Sequence, residues 1–160
     1  MILIFTLDDD NGTQLAGKRQ SRDRLVGEKI IALANNNLHM LQKTTSFFKN
    51  NDMTNVLCTV WSDLWSIPEN AVFFAEDVLP DEVMASAEKI YVFRWNRRYP
   101  SLVQDRVNLD GYNKTVIEEF PGYSHEKITL EEKIMADKSM EGLNTFTAQE
   151  TVSVDTNKKM

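Results

Sequence analysis

The segment "FRWNRRYP", residues 93–100, places three arginines and three aromatic rings within eight positions. Guanidinium groups hold phosphate or carboxylate through paired N–H donors, and indole or phenol rings stack on bases. Arg97 and Arg98 are therefore candidate anion clamps, with Trp95 or Tyr99 for stacking and Arg94 and Asn96 beside them. A second basic run, "GKRQSRDR" at 17–24, adds Lys18, Arg19 and Arg22 as candidate ligand contacts. Its likeness to a phosphate-binding loop stops at one Gly and one Lys, since the spaced glycines and terminal Lys-Ser/Thr are missing. Ser21 as a helix N-cap with its charged neighbours facing solvent explains the run adequately. His125 is a weak candidate general acid or base. On a strand it and Glu126 point to opposite faces, so its partner would be a distant carboxylate such as Asp8 or Asp10.

The same residues also have a plainer reading, and it is preferred. Tyr91, Phe93 and Trp95 fall on one face of a strand and Val92 and Arg94 on the other, with Arg97 and Arg98 in the following turn. Polar strand ends are normal in soluble proteins. The ligand reading survives because α/β sheets bind ligands at their strands' carboxyl ends. Asp8, Asp9 and Asp10 suggest a cation, yet they lack the spacing and terminal Glu of a calcium loop and read as a solvated turn. His39 lies among apolar residues and reads as a packed strand residue. One Cys and two distant His give no zinc cluster, and neither a Ser-His-Asp arrangement nor a dinucleotide-binding glycine fingerprint is present. The sequence implies no cofactor and no metal.

Composition bounds the partners. The 160 residues carry a net charge of −6, against general binding to nucleic acid, which needs excess Lys and Arg. An acidic body suits docking on a basic protein partner, while the two basic runs keep a nucleic acid or phosphorylated ligand in play. Cys58 is the single cysteine, which suits a reducing compartment. "MILIFTL" lacks a basic leader and runs at once into "DDD", so it reads as neither signal peptide nor membrane anchor, and a cytoplasmic protein is expected.

The elements that must position these groups follow from periodicity. "ILIFTL" (2–7) predicts a central strand covered on both faces. Val26, Ile30, Leu33 and Ala34 form one stripe of a helix starting near Ser21 and stopped by "NNN" at 35–37. "LHML" (38–41) suggests a strand, "TSFFKN" (45–50) a short helix and "VLCTV" (56–60) another strand. "NAVFFA" (70–75), a helix opened by Pro80, Asp81 and Glu82, and "KIYVFRW" (89–95) make a strand–helix–strand unit, which implies parallel strands. "KTVIEEF" (114–120) and the alternating 124–135 segment predict an antiparallel hairpin at one sheet edge. The expected fold is α/β: one mixed, mostly parallel sheet flanked by helices, with a C-terminal antiparallel hairpin. Residues 1–135 form a single domain and 136–160 a polar, mobile tail, whose "TVSVD" (151–155) suits a strand added to a partner.

The combination "LDDDNG", "KRQSRDR", "KIYVFRWNRRYP" and "FPGYSHEKIT" resembles a small bacterial protein family sometimes labelled ribonuclease Z. That label implies a histidine-rich dizinc site, which His39 and His125 alone do not supply, so a zinc nuclease is rejected. A more distant resemblance is to dihydrofolate reductase, through the order of an opening strand and Asp/Gly turn, a strand–helix–strand unit and a closing hairpin. Where the reductases have a glycine pair for the NADPH phosphates, this chain has Ala75 and Glu76. A glutamate there repels a pyrophosphate and its side chain blocks close approach, so the resemblance transfers fold without cofactor or catalytic residue.

The expected function is a non-enzymatic binding protein on a reductase-like scaffold. One version is an acidic inhibitor, of phage or mobile-element type, covering the basic surface of a nucleic-acid-handling protein. An enzyme acting on a phosphorylated small molecule or RNA through Arg97, Arg98 and His125 is the alternative, and an NADPH-dependent reductase ranks third.

Overall fold

The computed structural model describes residues 1–136. β1 (Ile2–Leu7) is followed by a small hairpin of β2 (Gln14–Leu15) and β3 (Lys18–Arg19), then α1 (Arg24–Leu33). β4 (Asn37–Leu41), a 3₁₀ segment at Gln42–Phe48 and β5 (Leu57–Trp61) come next. β6 (Val72–Ala75), α2 (Asp81–Ala85) and β7 (Lys89–Arg94) form the strand–helix–strand unit, and β8 (Tyr112–Phe120) and β9 (Ile128–Met135) close the fold. Short 3₁₀ turns sit at Leu64–Ser66 and Val103–Asp105.

Seven strands make one sheet in the order β5-β4-β6-β1-β7-β9-β8. The first five run parallel, and β9 pairs antiparallel with both β7 and β8. The fold is therefore the expected α/β class: a mixed, mostly parallel sheet with a C-terminal antiparallel hairpin. β6 and β7 are parallel but not neighbours, because β1 lies between them. β1 is buried from Leu3 to Leu7, which accounts for its unbroken apolar run.

Two cores sandwich the sheet. Ile4, Phe74, Phe93, Trp95 and Leu130 meet the α1 residues Val26 and Ile30 and the pair Phe47 and Phe48 on one face. Leu3, Phe5, Phe73, Ile90 and Val92 meet Val83 of α2 and the 107–109 segment on the other. The alternation read in β7 holds, with Tyr91, Phe93 and Trp95 facing the first core and Ile90 and Val92 the second.

Several local expectations need correction. Helix α1 is capped by Asp23, not Ser21: the Asp23 carboxylate accepts from the N–H groups of Leu25 and Val26. Pro80 occupies the cap position of α2 rather than its first turn. The stop at "NNN" is left-handed backbone at Asn35 and Asn36. His125 lies in the loop before β9, which begins only at Ile128, so the two-face argument for His125 and Glu126 does not apply. Residues 137–160, including the expected 151–155 strand, lie outside the described residues. No helix among the described residues is long and apolar enough to cross a membrane.

Candidate functional site

The carboxyl ends of β1, β6 and β7 converge where an α/β sheet positions ligands, because β1 has a neighbour on each side and the connections leave in both directions. Asp8, Glu76 and Trp95 are the first residues beyond those three strands. The basic residues singled out by sequence arrive here, yet each is engaged differently.

Asp8 is wholly buried, not part of a solvated turn. Its carboxylate accepts from the backbone N–H of Gly12 at 2.8 Å, of Asp10 at 2.9 Å and of Tyr99 at 3.2 Å. It therefore ties the first turn to the segment after β7, and it is not the partner of His125. A Cβ at Gly12 would come within 3.0 Å of the same carboxylate, so the turn accepts no side chain there without movement. Arg94 donates to the Asp8 carbonyl, to Asn11 and to Glu131, so it too is structural. Asn96 has φ of 58° and donates to the Lys127 carbonyl and the Thr129 hydroxyl. Arg98 pairs with Asp10 at 2.9 Å, and Arg97 is exposed.

The second basic run belongs to a neighbouring hollow of about 180 Å³ walled by Thr13, Gln14, Gly17, Lys18, Arg19, Lys43, Glu76 and Asp77. The β2–β3 hairpin, turning through left-handed Ala16 and Gly17, brings Lys18 and Arg19 to it. Arg19 grips Glu76 through both Nε (2.5 Å) and Nη2 (2.8 Å), and Lys43 and Gln14 both bind Asp77. The hydrogen bond to Glu76 raises the Arg19 pKa against the opposing effect of burial. Lys18 is exposed, and Arg22 is spent on the Ser46 carbonyl.

The third group was not legible as a unit. His125 is buried, stacks on Trp95 at 4.9 Å, and has Tyr99 Oη 2.7 Å from Nε2 and Ser124 Oγ 2.7 Å from Nδ1. Burial, reinforced by the nearby Arg97 charge, lowers its pKa against a smaller opposing pull from Asp23. The ring is therefore neutral at pH 7, with one donor and one acceptor nitrogen. Burial works to raise the Asp23 pKa, but hydrogen bonds from Ser124 (backbone and hydroxyl), Val26 and Tyr123 outweigh it and hold the carboxylate ionised. The Tyr99 and Ser124 hydroxyls occupy Nε2 and Nδ1, one donating to the ring and the other accepting from it. Both ring nitrogens are therefore engaged, and the row ties Tyr99 through His125 to Ser124. Asp23, accepting from the Tyr123 and Ser124 N–H groups, pins the 122–125 loop to the start of α1. His39, by contrast, accepts from the Trp61 indole on the far strands β4 and β5 and lies apart from His125.

This latch sets a pH dependence. The folded pKa of His125 lies below its ordinary value of about 6.5, so the unfolded chain binds the proton more readily. Stability is then complete above about pH 6.5 and falls as pH drops through the window beneath it. His39, whose pKa burial also lowers, acts in the same direction. Urea midpoints from about pH 7.5 to about pH 5 should decline, and the decline should shrink in His125→Gln. An identical pH slope in that variant would contradict the latch.

Among the described residues, no group of three or more His, Cys, Asp or Glu is placed to hold a metal ion. No protein-family model matches the chain, and no curated protein matches it significantly.

Proposed function

We propose that this chain is a non-enzymatic binding protein on a dihydrofolate-reductase-like scaffold, with a basic protein as its partner. One observation carries the reading: the cations lining the hollow beside the strand ends are already paired with the chain's own carboxylates, Arg19 on Glu76 and Lys43 on Asp77. A phosphate entering there must displace two carboxylates from their cations and sit against them. The opening strand and turn, the strand–helix–strand unit and the closing hairpin support the scaffold assignment. Kinship with the small family sometimes labelled ribonuclease Z belongs to the same proposal, without its zinc chemistry.

The charge balance supports a basic partner. Basic side chains near the strand ends are largely matched within the fold, whereas Asp9, Asp52, Glu69, Asp81, Glu82 and Glu126 stand exposed. An inhibitor covering the basic surface of a nucleic-acid-handling protein is one form of this, in keeping with a cytoplasmic site of action. Complex formation with a basic protein should be strong at low salt and weaken steeply as salt rises. Equal binding at low and high salt would overturn the charge-based reading.

The alternative, an enzyme acting on a phosphorylated small molecule or RNA, draws on the row of Tyr99, His125 and Ser124 beside Arg97. It is ranked second because the His125 ring is buried with both nitrogens taken up by Tyr99 and Ser124. An activity against such a substrate, abolished in a folded His125→Gln protein, would reverse the order. An NADPH-dependent reductase ranks third, since Glu76 and Asp77 stand where an anion would have to bind.

A further inference from the structure

The two ends of the sheet differ. β5 at one end has five residues, while β8 at the other has nine and ends the strand order. Among the described residues no strand pairs with the outer edge of β8, and Asn113–Glu119 are all exposed. Val116 and Ile117, at its centre, are 50% and 49% exposed. An open edge this long, with apolar residues in the middle, is a template for another strand.

The charges along the edge select the occupant. The strand reads Lys114-Thr115-Val116-Ile117-Glu118-Glu119: a cation, an apolar pair and two anions. Laid antiparallel on itself about a two-fold axis at Val116–Ile117, it sets each Lys114 against the other copy's Glu119, with Glu118 opposite Thr115. The apolar pairs then meet at the centre. Parallel self-pairing instead puts Lys on Lys and Glu on Glu, which like-charge repulsion disfavours. The β8 bulge between Val116 and Glu118 sits on this axis, so both copies bend at the same place. Glu119 already meets Lys127 at 3.4 Å, yet its side chain remains 51% exposed, leaving a second cation room to approach.

We propose that β8 is a self-association edge through which two copies of this chain form an antiparallel β8–β8 dimer, joining their seven-stranded sheets. This goes beyond the binding role argued above, since the surface is at the opposite side of β1 from the Glu76 hollow and the partner is a second copy. It is tested by sedimentation equilibrium of the full chain over a range of concentrations. The native protein should dimerise. Lys114→Glu and Glu119→Lys should each weaken that dimer by at least about tenfold, because each sets like charges across the axis. Mixing the two variants should restore association as a heterodimer, with every charge again matched. Circular dichroism of each variant separates loss of pairing from loss of fold, and recovery on mixing requires both to be folded. A native chain that is monomeric at its highest soluble concentration would overturn the proposal, as would variants that dimerise like the native chain or fail to associate when mixed. A monomer that instead captures an added strand-forming peptide would mark the edge as a site for a foreign strand, also against the dimer.

Discussion

Replacing Glu131 with Ala should destabilise the protein by about 3–5 kcal/mol, the loss typical when one member of a buried ion group is removed. Its Oε1 lies 3.1 Å from Arg94 Nε and 3.2 Å from Lys133 Nζ, with the side chains of Glu131 and Lys133 only 8% and 9% exposed. Without the carboxylate, two cations share one dry pocket beneath β7 and β9. Arg94 retains the Asp8 carbonyl and Asn11, so Lys133 bears most of the penalty. Glu131→Gln keeps an acceptor but no charge and should recover part of the loss. Chemical denaturation with an unchanged m-value is the measurement; a loss under about 1 kcal/mol would mean that water reaches the group.

The second large effect concerns Trp95. It is among the largest fully buried side chains, lies in the α1-side core and carries the His125 ring on its face. Trp95→Ala should cost about 3–5 kcal/mol through lost burial and a cavity, and should release His125 from its stack. Trp95→Phe should cost much less. The indole Nε1–H is buried with no hydrogen-bond partner among the described residues, so Phe keeps most of the apolar contact and removes an unmet donor. Equal losses in the two variants would show that the indole donor is satisfied in solution.

The parts of the fold that could be read from sequence were those whose physics is local. β1 announced itself as an apolar run because the two cores cover both of its faces and leave it no solvated side. β9 showed alternation because its two faces meet different surroundings, although Glu131 and Lys133 on it are buried, which alternation alone assigns to solvent. Pro80, Asp81 and Glu82 marked the start of α2 within one residue. The capping of α1 by Asp23 was only half legible. Ser21 and Asp23 are both capping types, and what separates them is distant: the N–H groups of Tyr123 and Ser124, about a hundred positions away, converge on Asp23 Oδ2.

The site was less legible than the fold for the same reason. The arginines of "FRWNRRYP" are similar in sequence, yet Arg94 is locked under β9, Arg98 reaches back to Asp10 and Arg97 stays exposed. Nothing in their spacing distinguishes them, because each fate is set by a residue from another strand or loop. Asp8 read as a solvated acid because its three N–H donors include one from Tyr99, on the far side of the sequence. Glu76, directly after β6, was the one strong local signal at the hollow, and Arg19, the cation that answers it, comes from a hairpin of two-residue strands too short to show periodicity.

The most direct test of the central claim, that this strand-end hollow is closed by its own ion pairs, is calorimetric titration of the native chain with NADPH and with inorganic pyrophosphate, alongside Glu76→Gln/Asp77→Asn. The native protein should give no binding heat, and the double variant, with Arg19 and Lys43 released, should acquire weak, salt-sensitive pyrophosphate binding. Saturable binding of either anion to the native chain, lost when Arg19 is replaced, would contradict the account and move a phosphate-handling enzyme to first place.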